Sequence, residues 1–262
     1  MSHSTARTEP DTVATGVGPP LVLAHGAGGS ISLNFGHVID AMSSHRRMVG
    51  VNYPGSGTTP RASDPLDLGD LADSLVAAAV ADGHERFPVV GLSLGCAVAL
   101  TAAHRHPERV SGLVLTVGFA RADAQIRLVV DLWRSLAATD PLMLARLLVM
   151  LSAPTVLAGL TLDALEHAVQ DTAATLPAGG PDQALLAVSL DVTAAAAGIS
   201  VPATVIVAGQ DRIVLPTTTR ALAHTIPGAN MIEYPGAGHI FTPDETAVWI
   251  TDINDFLDTH RL

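Results

Sequence analysis

The stretch from Phe87 to Leu100, FPVVGLSLGCAVAL, leaves the chain little conformational freedom. Phe87 to Val90 is an apolar run with adjacent β-branched valines, which reads as a strand buried on both faces. From Leu94 onward the sequence is alanine-rich, with apolar residues at helical spacing until Pro107 ends them. Strand must therefore turn into helix at Ser93. Gly91 and Gly95 remove side chains that would collide where the two elements approach, and the serine hydroxyl is left raised on a strained backbone. The helix start behind it offers free N–H groups and a positive dipole end. The plainer reading makes Ser93 an N-cap, a position serine favours for its own reasons. The choice depends on whether a base, an acid and an oxyanion-stabilising loop occur in matching places.

The same strand-to-helix transition recurs along the chain. Leu21 to His25, Arg47 to Asn52, Val110 to Val117, Val201 to Ala208 and Asn230 to Tyr234 read as further strands. Helical patterns fall after the Gly-rich HGAGGS to about Ser43, over Leu66 to Asp82, and near 217–226 and 245–258. Alternation of this kind predicts βαβ units: an α/β fold with a mainly parallel central sheet flanked by helices. It is interrupted once. Between Phe119 and Ile199 only helical stretches occur: AQIRLVVDLWRSLAA, DPLMLARLLVML, LDALEHAVQDTAATL and DQALLAVSLDVTAAAA. The expected organisation is a core of residues 1–120 and 199–262, with residues 121–198 inserted as a helical cap over the edge where such sheets bind ligands.

Composition narrows the partners. Hydrophobic residues make up 48 % of the chain and charged residues 15 %, so a large core is expected. The net charge is −11, and all 14 basic residues are arginine. Without a basic cluster, such a chain is a poor binder of nucleic acid or anionic membranes. Residues 1–18 lack the basic and apolar regions of a signal peptide, which makes the cytoplasm the expected location. Leu147 to Leu162 is greasy but is broken by Pro154 and Gly159, too short a run to span a bilayer. The single Cys96 has no partner for an internal disulfide; next to the serine turn it reads as a small packing residue rather than an activated thiol. Monomer and homodimer are both compatible with the sequence.

Ligand groups of a parallel sheet gather at the carboxyl ends of its strands. Asp211 follows the strand ending at Ala208, and His239 lies in PGAGH after the last strand. A serine hydroxyl is a weak nucleophile near neutrality and needs a base; histidine suits proton uptake and return, and a carboxylate fixes its tautomer and stabilises its cation. Taken singly, Asp211 reads equally well as a turn residue and His239 as a polar loop residue. Together with Ser93 they stand in the order nucleophile, acid, base. The fourth element is His25-Gly26-Ala27-Gly28-Gly29, whose Ala27 N–H is placed to converge with the Leu94 N–H on a developing oxyanion. A dinucleotide reading fails: the loop lacks G-x-G-x-x-G spacing, and the next strand ends in Asn52 rather than an acid.

Other candidates are weaker. His25 is expected to be structural. His104 and His106 are two positions apart and cannot share a helical face as metal ligands. Asn34 and His37 follow the Gly-rich loop closely enough to be pocket candidates, but read first as ordinary helix positions. Trp133, Met143 and Met150 fall in the insertion as core or pocket lining.

PPLVLAHGAGG, VNYPGSGTTP, VVGLSLGCAVAL, HPERVSGLVLT, VPATVIVAGQDRIVLP and PGAGH together resemble the lid-bearing α/β-hydrolase fold superfamily. That group includes esterases, lactonases, epoxide and dehalogenating hydrolases, haloperoxidase-like proteins and carbon–carbon bond hydrolases. The resemblance covers nearly the whole core and leaves only the insertion unmatched. It implies Ser93 as nucleophile, Asp211 as acid, His239 as base, and Ala27 with Leu94 as oxyanion hole. A serine at the turn argues against the epoxide and dehalogenating branches. Two departures stand out: Asn52 occupies a position where the family often has aspartate, and the short polar stretch before Pro19 implies that the usual first antiparallel strands are truncated. The expected activity is hydrolysis of an ester, lactone or thioester of a lipophilic small molecule through an acyl-enzyme, with no metal or organic cofactor. Lyase, isomerase or cyclase chemistry on the same residues, carbon–carbon bond hydrolysis, and a non-turnover binding protein remain as alternatives.

Overall fold

The computed structural model describes residues 10–262; residues 1–9, where the polar stretch read as lacking a signal peptide begins, lie outside the described residues. Seven strands form one sheet in the order β1-β3-β2-β4-β5-β6-β7. They are β1 (Thr12–Gly16), β2 (Pro20–Ala24), β3 (Arg47–Val51), β4 (Phe87–Leu92), β5 (Val110–Thr116), β6 (Ala203–Ala208) and β7 (Asn230–Tyr234). All neighbours run parallel except β1, which pairs antiparallel with β3.

The central strands read as continuous apolar runs because both faces of the sheet are covered. Val22, Val89, Leu113 and Val205 point into one core, and Leu21, Leu23, Val90, Val114 and Ile206 into the other. The first core is closed by α2 (Leu68–Ala81), α3 (Leu94–Arg105) and α10 (Pro216–Thr225), through side chains such as Leu75, Leu100 and Leu222. The second is closed by α1 (Ile31–Met42) and α11 (Pro243–His260), through Phe35, Val38, Trp249 and Ile253. Helix starts follow local chemistry. Ser30 and Asp67 accept N–H groups of the first turns of α1 and α2, and Thr242 with Glu245 closes a reciprocal capping box at α11.

One expectation is corrected at the amino end. A strand is present there: β1 pairs with β3 from Thr12 opposite Val51 to Gly16 opposite Arg47. It lies at the sheet edge and none of its residues is buried, so it needs no apolar run. Its five residues, TVATG, therefore lack the continuous apolar run that marks the central strands.

Between β5 and β6 the chain is helical: α4 (Ala124–Thr139), α5 (Pro141–Ser152), α6 (Pro154–Leu157), α7 (Leu162–Thr175), α8 (Gly180–Ser189) and α9 (Thr193–Ala197). Pro154 separates α5 from α6, so the greasy stretch from Leu147 is not one helix. Among the described residues no helix is long and apolar enough to cross a membrane. The stretch DQALLAVSLDVTAAAA forms two helices: the chain extends at Leu190, and the Asp191 side chain accepts the Thr193 N–H. An isolated antiparallel bridge between Arg121 and Asp191 draws the two ends of this segment together.

Candidate active site

From β2 the chain moves to β3 on one side of the sheet and then to β4 on the other. The loops leaving β2 and β4 therefore diverge and open a crevice at the carboxyl edge. Ser93 sits in that crevice, one residue beyond β4, with φ 53 and ψ −117. That conformation is strained for a side-chain-bearing residue. Two close approaches impose the turn. A Cβ on Gly95 would lie 1.9 Å from the Ala24 carbonyl oxygen, and one on Gly91 would lie 2.6 Å from that of Gly95. The Ser93 N–H is held by the Thr116 carbonyl at 2.9 Å. Although Ser93 stands at the N-cap position of α3, its side chain makes no capping hydrogen bond. The plainer reading of this serine therefore lacks the one contact it requires.

Asp211 follows β6 and is 2 % exposed. One carboxylate oxygen accepts the Ile213 and Val214 N–H groups at 2.8 and 2.9 Å; the other pairs with His239 Nδ1 at 2.6 Å. Backbone bonds from Gly209 to Tyr234 and from Gln210 to Ala237 tie the two loops together. A buried carboxylate can only accept here, so Nδ1 carries the proton and Nε2 is left as an acceptor. Ser93 and His239 both line one cavity of ≈ 390 Å³. Ala27, Gly28, Ser93 and Leu94 line it from the core; α4, α5, α7 and α8 line it from the inserted segment, among them Val130, Trp133, Leu148, Thr172 and Ala187. Among the described residues neither the Ala27 nor the Leu94 backbone N–H has a protein acceptor.

His25 lies beneath this loop, fully buried and stacked on Tyr53 with ring centroids 3.7 Å apart. Its Nε2 accepts the Tyr53 N–H at 2.9 Å, so the ring is neutral and Nδ1–H donates to the Gly26 carbonyl at 2.8 Å. Burial lowers its pKa from 6.5 to about 4. Below pH 6.5 the unfolded chain takes up a proton that the native ring refuses, so stability is lost as pH falls from 6.5 toward 4. The loss is about 3 kcal/mol at its full extent. Urea unfolding at pH 7 and pH 4.5 checks this: His25→Gln, which cannot titrate, shows a smaller difference between the two pH values than the parent chain does.

The other candidates fall into place around this site, Asn34 and the two methionines of the insertion departing from their sequence reading. Asn34, expected to be an ordinary helix position, lines the cavity, and its Oδ1 accepts the Gly26 N–H at 2.8 Å. His37 is exposed. Trp133 lines the cavity, whereas Met143 and Met150 are 45 % and 52 % exposed. Asn52 holds loops in place, accepting the Ile31 N–H and donating to Asp11. Cys96 is buried with its thiol pKa pushed up by desolvation, an inert packing residue. His106 pairs with Asp73 at 2.8 Å. Gln183 of α8, unremarkable in sequence, is fully buried and bonded to the Gly28 N–H.

The parallel sheet, its strand order and the crevice at its carboxyl edge define the class as an enzyme of the α/β-hydrolase type. Residues 19–246 match the model of the alpha/beta hydrolase fold, and the chain belongs to that family. It is 32% identical over 235 residues to a pyrrolizixenacetamide deacetylase of Xenorhabdus hominickii, covering 88% of each chain. It is likewise 32% identical over 245 residues to a pimeloyl-[acyl-carrier protein] methyl ester esterase of Chromobacterium violaceum, covering 86% of this chain and 88% of that one. Among solved structures, an alpha/beta hydrolase enzyme from a Medee basin deep-sea metagenome library superposes with a TM-score of 0.85 at 16% identity, over 95% of this chain and 94% of the other.

Proposed function

We propose that this chain is a serine hydrolase acting on an ester, lactone or thioester of a lipophilic small molecule, with Ser93 as nucleophile, His239 as base and Asp211 as acid. The observation that carries the reading is the pairing of His239 Nδ1 with buried Asp211 at 2.6 Å, beside a serine held at φ 53 in the same cavity. Ser93 Oγ attacks the carbonyl carbon as His239 Nε2 takes its proton. The Ala27 and Leu94 N–H groups receive the negative charge that develops on the carbonyl oxygen. As the tetrahedral adduct collapses, His239 returns the proton to the leaving group; water then repeats the sequence on the acyl-enzyme. Residues 121–198 act as a cap over the core, and the aliphatic wall they supply favours an apolar substrate portion. Amides form a second reading of the same site, favoured by the 32% identity to the acetamide deacetylase over most of both chains.

A fluorophosphonate probe tests the nucleophile: one label per chain is expected, on Ser93, together with turnover of p-nitrophenyl esters. Labelling without turnover of any ester, thioester, lactone or amide would mark a reactive serine serving other chemistry. No labelling at all removes the reading.

A further inference from the structure

Gln183 reaches the β2 loop from α8, 155 positions away in the chain, and its side chain is fully buried. Both of its amide hydrogens and its amide oxygen are engaged. Oε1 accepts the Gly28 N–H at 2.8 Å; Nε2 donates to the Pro54 carbonyl at 3.1 Å and to Ser56 Oγ at 2.9 Å. The Ser56 hydroxyl, itself buried, donates to the Gly29 carbonyl at 2.7 Å. Every bond in this chain has a fixed polarity. Turning the Gln183 amide over would set its NH₂ against the Gly28 N–H and its oxygen against the Pro54 carbonyl, so one orientation is imposed. The Gly26 N–H is held in the same manner by Asn34 Oδ1 at 2.8 Å. The N–H groups on both sides of Ala27 are thus committed to side-chain amide oxygens, while the N–H of Ala27, a residue that lines the cavity, has no acceptor among the described residues.

We propose that Gln183 is a positioning residue for oxyanion stabilisation: by anchoring Gly28 and, through Ser56, Gly29, it aims the Ala27 N–H at the reacting carbonyl. The proposal rests on the reading of Ser93 as nucleophile and of Ala27 with Leu94 as oxyanion donors. An N–H aimed at the tetrahedral oxygen helps only when it is held before charge develops. The network supplies that hold from a buried, low-dielectric position. A wall residue that merely fills space needs none of these bonds.

Two variants separate positioning from packing. Gln183→Glu keeps the size and the acceptor for Gly28 but loses the donor to Pro54 and Ser56; Gln183→Met keeps the volume and loses every bond. On a p-nitrophenyl ester, kcat is expected to fall by about 10-fold or more in each, below the 10²–10³-fold cost of deleting an oxyanion donor outright, with KM little changed. The affinity of a boronic acid that forms a tetrahedral adduct should fall in parallel with kcat, while that of the product carboxylate stays near the parent value. Ser56→Ala cuts the same network from the other end and should lower kcat in the same direction by a smaller factor; it also serves should both Gln183 variants fail to fold. Arg61→Ala is the control. Arg61 forms an ion pair with Asp182 on the outside of α8, at 2.5 and 2.9 Å, and losing it should leave kcat within about twofold because exposed pairs contribute little. Parent-like kcat and boronate affinity in folded Gln183 variants overturn the proposal, as does an Arg61→Ala loss equal to that of Gln183→Met. If the parent chain is not labelled by a fluorophosphonate, the nucleophile reading itself is what has failed.

Discussion

Ser93→Ala is expected to abolish turnover while the protein stays folded. The expected loss in kcat is about 10⁶-fold, the scale on which removing the nucleophile disables a serine protease. The fold tolerates the change for reasons visible at the turn. The hydroxyl makes no capping hydrogen bond, so no cap is lost. At φ 53 the backbone is strained for alanine much as it is for serine, so no new strain arises. Ser93→Gly sharpens the contrast. It should lose activity to the same extent, yet unfold at a higher temperature, because glycine adopts this backbone without the cost of about 1–3 kcal/mol that other residues carry there. Esterase kinetics with far-UV circular dichroism and thermal melts on both variants provide the check. Retention of more than a few per cent of parental activity in Ser93→Ala would rule out the nucleophile assignment.

The strand–helix alternation was legible because parallel strands buried on both faces must be apolar throughout. Val89–Val90, Leu113–Val114–Leu115 and Val205–Ile206 each send neighbouring side chains into opposite cores. The turn at Ser93 was legible because collisions at Gly91 and Gly95 admit no side chain. β1 escaped notice because an exposed edge strand has no apolar obligation. Gln183 escaped for a different reason. Its value lies in where α8 delivers it, and nothing local in an alanine- and leucine-rich helix marks one glutamine as bonded to a loop 155 positions away. Asn34 is the intermediate case. It follows the Gly-rich loop closely enough to be suspected, but helical periodicity cannot tell a cavity-facing amide from an ordinary polar position. Trp133 and the exposed Met143 show the same limit from the apolar side.

Asp211→Asn should lower kcat by up to about 10⁴-fold with the structure preserved, on the precedent of the equivalent change in a serine protease. Asparagine fits the site: its Oδ1 can still accept the Ile213 and Val214 N–H groups that shape this turn. The remaining atom facing His239 then becomes an NH₂ donor. It cannot accept from Nδ1–H, so the imidazole is driven to the tautomer that carries its proton on Nε2, where it cannot take one from Ser93. The charge that would stabilise the imidazolium is also lost. Asp123 is the rival acid by position, lying after β5 where the helical segment begins. Both of its oxygens have other work: one accepts the Ile126 N–H at 2.8 Å as the N-cap of α4, and the other accepts the Thr218 hydroxyl. Asp123→Asn should therefore cost about 1 kcal/mol of stability at most, since asparagine caps helices nearly as well, and leave kcat close to the parent value. Measured side by side on one ester, a large loss at 211 with little change at 123 is the expected pattern. The reverse would move the acid from the loop after β6 to the one after β5 and leave the 2.6 Å contact between His239 and Asp211 without a part in the chemistry.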